Sequence, residues 1–245
     1  MSSSAEARAT APTTIAVIGA GRLGGVLARA LIDAGFTVHG PLRRGDAISA
    51  SDVALLAVPD AAIAAAASAA RSHARLVGHL SGATGLDDVD LSIHPLQTFT
   101  GAEVPDVFHG IGAAVAGRSP EALAIAQQIA RALGARPFEV DDAHRAGYHA
   151  AASIASNLLL TVLDAAERVA AAQGIPDARR LLEPLVARSV QNWVERGAAA
   201  ALTGPIARGD DDTVRRQRDA IAASTPELLP LFDQLCDSAR DLAGK

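Results

Sequence analysis

Two histidines, with neighbouring hydroxyl and amide side chains, are the residues best suited to acid–base chemistry. His94 closes a short apolar run in the stretch DLSIHPLQTFTG, and Pro95 must end a central strand there because proline cannot donate to the ladder. His149, Ser153 and Asn157 follow one another at i, i+4 and i+8, a spacing that places them on one face of an α-helix. Because imidazole titrates near neutrality, both histidines are candidate proton donors.

The helical stripe that begins at His149 could be a solvated face or the wall of a cleft. Solvated faces usually carry charge, yet beyond His149 the first charged residue of this helix is Asp164. An uncharged His/Ser/Asn stripe beside alanine and leucine is better suited to a cleft. We therefore expect His94 and His149 to face each other across a cleft between domains, with Ser81 and Asn157 nearby.

The positions of the lysine and the tyrosine exclude several classes of catalytic mechanism. The only lysine is the last residue, Lys245, so an internal Schiff-base, P-loop or acid–base lysine is absent. The only tyrosine, Tyr148, is followed by Ala152 where a Tyr-x-x-x-Lys pair would place its lysine. Proton transfer by these familiar lysine arrangements is therefore excluded.

A metal site is not expected. His144 and His149, with Asp141 and Asp142, lack the spacing of a common two-ligand helical pair, and no thiolate accompanies them. The remaining histidines are interpreted as structural or exposed: His39, His73, His79 and His109.

A glycine motif near the start of the chain predicts a phosphate-binding turn. Gly19, Gly21 and Gly24 form G-x-G-x-x-G between the β-branched run IAVIG and a helical pattern, which is the context that gives the motif meaning. The three glycines permit a tight turn, close backbone approach to a pyrophosphate and helix–strand packing, respectively. The pyrophosphate would rest on the helix N-terminus, where Arg22 and Leu23 also lie.

Two arginines follow the second predicted strand. Dinucleotide-binding folds place an acidic residue about 20 positions beyond the glycines, to hold the ribose hydroxyls. Here Arg43 and Arg44 occupy that region, and paired guanidinium groups suit a 2′-phosphate. The sequence thus favours NADP(H) over NAD, although two solvated loop arginines would have the same appearance.

Strands alternate with helices up to about residue 140, and only helices follow. This order predicts an α/β fold, a doubly wound Rossmann parallel sheet, followed by a smaller all-α domain. We expect a disordered tail over residues 1–12, the dinucleotide-binding domain over 13–140, and a helical substrate and dimerisation domain over 141–245.

The carboxyl ends of the predicted strands should form the ligand-binding edge. That edge carries the glycine loop, then Val58-Pro59, Ser81 and His94. We expect these positions to follow the cofactor from its pyrophosphate towards the nicotinamide, and Gln97 to line the cleft beyond His94.

Composition narrows the class of partner. Of the 245 residues, 49% are hydrophobic and 20% charged, and the net charge of -5 comes without a dense basic cluster, which argues against nucleic acid or an anionic membrane as partner. The single cysteine, Cys236, fits a reducing compartment. No signal peptide and no unbroken apolar run of membrane-spanning length is apparent. We expect a cytoplasmic protein that acts on a small molecule.

The motifs IAVIGAGRLG, LAVPDAAI, HLSGATG, HPLQTF, YHAAASIASN and LTGPIARGD together resemble Rossmann-like oxidoreductases with a helical C-terminal domain. These belong to the broad 6-phosphogluconate dehydrogenase-like group, and some members are similar to alternative ketopantoate reductases that use NADPH. The HP pair is also similar to prephenate dehydrogenases, in which a histidine and a preceding serine face the substrate. That resemblance assigns such roles to His94 and Ser81.

The chain departs from the lysine-using β-hydroxyacid dehydrogenases of this group. Asn157 matches their asparagine, but Ser153 stands where they have a lysine. The proton for a 2-oxo acid would then come from His149 or His94. Arg208 could pair with the substrate carboxylate, or could belong to an ordinary surface turn.

Three functions agree with these observations. The first is NADPH-dependent reduction of a small 2-oxo acid, most specifically 2-dehydropantoate. The second is a prephenate- or imine-type dehydrogenase on the same scaffold. The third is a non-catalytic NADP(H)-binding sensor, for which the glycine loop alone would suffice. We also expect a homodimer through the helical domain, because its helices carry apolar residues on more than one face.

Overall fold

The computed structural model describes residues 12–244, so the predicted tail lies outside the described residues except for Pro12, which is buried. The chain divides into two compact units, one that ends at Ser156 and one that begins at Asn157. The first is an α/β unit and the second is helical, in agreement with the predicted fold class.

The first unit is built on a seven-stranded sheet with the order β2-β1-β3-β4-β5-β6-β7. Every neighbouring pair is parallel except β5 and β6. The strands are β1 (Thr14–Ile18), β2 (Thr37–Leu42), β3 (Ser51–Leu56), β4 (Ala74–His79), β5 (Leu91–Pro95), β6 (Gly112–Gly117) and β7 (Arg136–Glu139).

Helices cover the sheet on both faces, and two clusters of buried side chains form the core. β-Branched and leucine residues fill the central strands, as expected for strands buried on both faces. Ser119 caps one helix by accepting a hydrogen bond from the Ala122 amide. The helices of this unit are α1 (Arg22–Asp33), α2 (Ile63–Ala70), α3 (Pro120–Ala132) and α4 (Arg145–Ser153).

The antiparallel pairing of β5 and β6 corrects the expectation of a wholly parallel sheet. In the register, His94 lies opposite Ala114. A parallel neighbour requires a crossover of a dozen or more residues, usually a helix. The connection after β5 contains only a helical turn at Pro105–Phe108, so the chain returns antiparallel and β6 pairs directly with β5.

The second unit consists of helices only, within the residues described. Its buried side chains are few: Ala178, Val214, Ile221, Thr225 and Cys236. Exposed ion pairs such as Arg179–Glu167 (2.9 Å) and Arg218–Asp233 (2.9 Å) join neighbouring helices. The helices are α5 (Leu159–Ala172), α6 (Ala178–Arg196), α7 (Ala198–Ala201), α8 (Pro205–Arg208), α9 (Asp211–Ser224) and α10 (Leu229–Leu242).

A π-helical segment, Ile154–Leu158, lies between α4 and α5. The compact units divide within this segment, after Ser156, whereas the sequence suggested a boundary near residue 140. The difference arises because α4 is tied to the sheet: Arg145 is only 2% exposed and donates a hydrogen bond to Ser92 on β5. π-Helical hydrogen bonds run i→i+5, so the α-helical spacing assumed for Asn157 does not hold past Ser153.

By length and composition, the helical stretch Arg145–Ala172 could cross a membrane, with a mean hydropathy of 1.2 over its most apolar window. The sequence prediction rested on unbroken apolar runs, whereas a window average also includes stretches in which polar residues are scattered, as they are here. Core helices of water-soluble proteins pass the same test, so the finding is weak evidence for a membrane segment.

Candidate functional site

Five strands deliver their following segments to one edge of the sheet, because β2, β1, β3, β4 and β5 are neighbours and run parallel. In spatial order these segments are the arginine turn after β2, the glycine loop after β1, Val58-Pro59, Ser81-Gly82, and the end of β5 at His94. At about 4.8 Å per strand, the series spans about 19 Å. An extended ligand along this edge would meet each segment in turn.

The glycine loop has the geometry that close approach of a ligand requires. Gly19 adopts φ +116, and a Cβ there would lie 2.2 Å from the Ala57 carbonyl oxygen. A Cβ on Gly24 would lie 1.9 Å from the Gly19 carbonyl oxygen, so α1 packs directly on the turn. A Cβ on Gly21, by contrast, would have no neighbour within 4 Å, which leaves the α1 N-terminus open to an anion.

A cavity of about 670 Å³ adjoins the glycine loop, a volume typical of small-molecule sites. Arg43 and Arg44 line it together with Gly19, Val58 and Pro59. Neither guanidinium group makes a hydrogen bond or ion pair within residues 12–244. Within the described residues, two unpaired guanidinium groups therefore line a cavity beside the glycine turn, an arrangement that suits an anionic group.

Asp46 lines the same cavity and was not considered in the sequence analysis. Its Oδ2 accepts a hydrogen bond of 2.7 Å from the Arg43 amide, and its own amide donates to the Arg43 carbonyl at 3.1 Å. The carboxylate thus closes the turn that presents the two arginines. Its position in the RRGD sequence is the signal that could have identified it.

The loop after β5 runs to the start of α1. Gly101, at φ +98, would place a Cβ 3.4 Å from the Arg22 Cα, and Arg29 donates to the Glu103 carbonyl at 2.9 Å. Arg22 is an exposed first residue of α1, whereas Leu23 packs on the core. Gln97 is exposed, and its Oε1 accepts from the Thr98 amide at 2.9 Å, so this oxygen is engaged by the loop itself.

The rings of His94 and His149 lie close together, with centroids 5.9 Å apart and an interplanar angle of 70°. The prediction had placed them on opposite sides of a cleft between domains. Both belong to the first unit. Tyr148 adds a third ring: its hydroxyl shares a hydrogen bond of 2.5 Å with His94 Nδ1. His149 Nδ1 is buried and has no hydrogen-bond partner among residues 12–244, which leaves a polar atom available to a ligand.

Gly82 provides the space in which the two imidazoles meet. A Cβ at this position would lie 2.6 Å from His149 Nδ1 and 2.9 Å from His94 Nε2. Any larger residue would displace both rings. The two nitrogens lie close to one point at the end of β4, so a single small polar group could contact both.

The electrostatics of the cluster correct one expectation about His94. Burial, reinforced by the charges of His149 and Arg145, lowers the pKa of His94 to about 4. His94 is therefore neutral at pH 7 rather than titrating near neutrality. A neutral imidazole can donate a hydrogen bond to a carbonyl oxygen, but it is a poor source of a proton.

Arg145 fixes α4 on the sheet beneath these rings. Its Nε donates to Asp142 Oδ1 at 3.0 Å and its Nη2 donates to Ser92 Oγ at 3.1 Å. Asp142 Oδ2 in turn accepts from the Leu86 amide at 3.0 Å. With its hydrogen bonds directed to protein groups, this buried guanidinium is a structural anchor rather than a substrate ligand.

Ser81 is placed at the end of β4, but its hydroxyl is occupied locally. Its Oγ accepts from the Ala83 and Thr84 amides at 3.1 and 3.0 Å. Its amide donates to His79 Nδ1 at 3.2 Å, and His79 Nε2 then donates to the Gly85 carbonyl at 3.0 Å. The fully buried His79 thus holds the loop, and burial lowers its pKa.

The remaining predicted site residues are divided between the two units. Ser153 is the partly buried last residue of α4. Asn157 and Arg208 belong to the second unit, where both are exposed. Among residues 12–244, no group of three or more His, Cys, Asp or Glu side chains could hold a metal ion.

Sequence reasoning missed Tyr148, Gly82 and Arg145 as parts of this cluster. Tyr148 is next to His149 and is the only tyrosine, which is a usable signal. Arg145 follows Asp142 at i+3 and precedes Tyr148 at the same spacing, which places all three on one side of the helix start. Gly82 had no signal beyond its position after a strand.

The sheet order, the glycine turn and the helical second unit define a Rossmann-type fold with a C-terminal helical region. The model of one family, a domain of unknown function called DUF2520, matches residues 111–239, more than half of the chain. The chain belongs to this family. A search of the curated proteins found no match.

Solved structures share this fold over nearly the whole chain. A candidate NADP oxidoreductase from Bacteroides fragilis is 23% identical, with a TM-score of 0.78 over 94% of this chain and 98% of that one. A protein from Thermotoga maritima is 22% identical, with a TM-score of 0.80 over 95% and 100%. The pyrroline carboxylate reductase of Plasmodium falciparum, solved with NADP bound, is 10% identical, with a TM-score of 0.57 over 94% and 98%. At these identities the likeness establishes the fold.

Proposed function

We propose that this protein is an NADP(H)-dependent oxidoreductase. One observation carries the proposal: a single sheet edge holds an open glycine turn, a cavity with two arginines whose guanidinium groups are unpaired within residues 12–244, and a half-buried imidazole pair. The names of the structural neighbours, among them a candidate NADP oxidoreductase and an NADP-bound reductase, support the same class.

The residues fit the dinucleotide in a defined order. The open space at Gly21 and the N-terminus of α1 would hold the pyrophosphate, and Arg43 and Arg44 would hold the 2′-phosphate. Val58 and Pro59 would contact the cofactor between these groups and the imidazoles. When bound, NADPH supplies a hydride for a carbonyl or imine carbon.

The two imidazoles would donate a hydrogen bond and a proton to the oxygen of the substrate. Neutral His94 would donate a hydrogen bond to the carbonyl oxygen, which stabilises the negative charge that develops there. His149, whose Nδ1 has no hydrogen-bond partner in the described part of the chain, would hold or deliver the proton. This division of roles replaces the initial expectation that either histidine could act as the acid.

The finer proposal is reduction of a small 2-oxo acid, with 2-dehydropantoate as the most specific candidate. Its basis is the sequence resemblance to alternative ketopantoate reductases. An imine-type reaction is the second candidate, favoured by the neighbouring pyrroline carboxylate reductase structures. A cytoplasmic location remains part of the proposal, on the basis of the single cysteine.

A substrate panel tests the proposed function. Purified protein with NADPH should oxidise the cofactor in the presence of one or more 2-oxo acids, 2-dehydropantoate among them, and faster than with cyclic imines. The readout is loss of NADPH absorbance. Saturable NADPH binding without turnover on any carbonyl or imine would leave the sensor hypothesis, and absence of NADPH binding would overturn the dinucleotide assignment.

We also propose that the protein is a homodimer through α5 and α6. Large apolar side chains on these helices stay exposed in the single chain, including Leu160 at 63%, Leu185 at 63% and Trp193 at 57%. Exposed apolar surface of this kind marks interaction sites, and a second copy of the same face would cover it.

Light scattering at micromolar concentration should give twice the mass of the chain. Replacing Leu181 and Leu185, which share one helix face at i and i+4, with glutamate should shift the protein to a monomer. Ile32→Glu changes an equally exposed apolar residue of α1 and should leave the dimer intact. A monomeric wild type, or a dimer unaffected by the leucine changes, would contradict the proposal.

A further inference from the structure

Tyr148 stands in direct contact with the imidazole pair, and the packing of two elements explains why. Ser92 and His94 lie two residues apart on β5 and therefore point to the same face of the sheet. Arg145 and Tyr148 lie three residues apart on α4 and share one face of that helix. Two contacts then join the pairs in register: Arg145 with Ser92 at 3.1 Å, and Tyr148 with His94 at 2.5 Å.

We infer that Tyr148 is a positioning residue that fixes the tautomer of His94, with the phenol hydroxyl donating to Nδ1 and the ring proton held on Nε2. The inference deepens the proposed reductase function and rests on it. Tyr148 would not exchange its proton in the reaction. Its role is to keep an N–H at His94 Nε2, the nitrogen that lies beside Gly82 and His149.

The direction of this hydrogen bond follows from the two partners. A neutral imidazole carries a proton on one ring nitrogen and a lone pair on the other. The hydrogen bond that one nitrogen makes decides which of the two is protonated. The phenol is the stronger donor of the two groups. Burial also raises the pKa of Tyr148 to about 12, so its proton stays on oxygen and needs an acceptor. His94 Nδ1 is the acceptor at hand.

The surroundings keep Tyr148 in place. Phe138 packs against its ring edge at a centroid distance of 5.9 Å, and the His94 ring lies 5.6 Å away in a T-shaped arrangement. The buried Arg145 anchors the preceding turn of α4. The hydroxyl can therefore be removed without removing the ring contacts, which makes Tyr148→Phe a specific test.

Nitrogen NMR of the histidine side chains reads the tautomer directly, with His94 assigned from the His94→Gln variant. In the wild type we expect a neutral His94 with its proton on Nε2, and in Tyr148→Phe a shift towards a mixture of the two tautomers. Phe138→Leu is the matched control, because it alters the ring packing and keeps the hydroxyl. It should leave the tautomer unchanged.

Turnover gives the second measurement. Tyr148→Phe should lower kcat by roughly 10- to 100-fold, the range found when the partner that fixes a metal-bound histidine is removed, with NADPH affinity unchanged. Because the chain has one tyrosine, its ultraviolet titration in the wild type reports Tyr148 alone and should show a midpoint near 12.

Three results would overturn the inference: a wild-type proton on Nδ1, an identical His94 spectrum in Tyr148→Phe, or the same spectral change in Phe138→Leu. A Tyr148 that is already ionised at pH 7 would also overturn it, because a phenolate cannot donate to Nδ1. If no substrate is turned over, the proposed function fails, yet the NMR comparison still decides whether Tyr148 sets the tautomer of His94.

Discussion

Replacing His94 or His149 with alanine should lower turnover by about 10²- to 10⁴-fold and leave NADPH affinity nearly unchanged. The two rings meet at Gly82, at the end of the strand series that begins with the glycine loop and the arginine cavity. Losing either ring should therefore weaken stabilisation of the charge on the substrate oxygen. The contacts between the protein and the phosphates of NADPH should be unchanged. Steady-state kinetics and NADPH titration by fluorescence separate the two effects.

The conservative variant distinguishes what His94 contributes. With its pKa lowered to about 4, His94 would act as a neutral hydrogen-bond donor, and glutamine also carries an N–H donor. His94→Gln should therefore retain more activity than His94→Ala. A charged acid at His94 would instead give equal losses in both variants, and a rate that falls as pH rises through the His94 pKa, near 4 rather than near 7.

An exposed histidine provides the control for these variants. His144 lies at the start of α4, is exposed, and pairs with Asp141 at 2.7 Å. His144→Ala should leave turnover unchanged. If the double variant of His94 and His149 kept wild-type turnover, water would have to serve the substrate oxygen and the imidazole pair would have no catalytic role.

Removing both arginines of the cavity should weaken NADPH binding by roughly 100-fold or more and leave NADH binding almost unchanged. A hydrogen bond to a charged group contributes about 1.5–3 kcal/mol, and each 1.4 kcal/mol is about tenfold in affinity. The guanidinium groups of Arg43 and Arg44 have no partner within residues 12–244 that would compete with a 2′-phosphate. The wild type should accordingly bind NADPH more tightly than NADH.

A second double variant controls for net charge. Arg75 on β4 and Arg131 on α3 are exposed and do not line the cavity, and their replacement by alanine removes the same two charges. This variant should leave the preference for NADPH intact. Because exposed charges are screened, the preference in the wild type should also decrease with salt. Equal or tighter binding of NADH by the wild type would contradict the assignment.

The sequence alone determined the parts of this protein that depend on neighbours in the chain. The strand–glycine–helix motif, the seven strands and the capped helix α3 all follow from local periodicity and from residues such as Gly19, Ser119 and Pro120. The end of β5 at Pro95 followed from the missing amide of proline. Because the carboxyl ends of parallel strands share one edge, the region of the site was also predictable.

Only the tertiary structure decided which side chains meet at that edge and in which charge state. The contact of Tyr148 with His94 depends on the register between α4 and β5, which Arg145 and Ser92 set across 53 positions of the chain. The neutral state of His94 depends on burial and on the nearby charge of Arg145, neither of which is encoded within the HPLQTF stretch. Pairing across the sheet, desolvation and non-local electrostatics act between residues distant in sequence, and for that reason local patterns could not supply them.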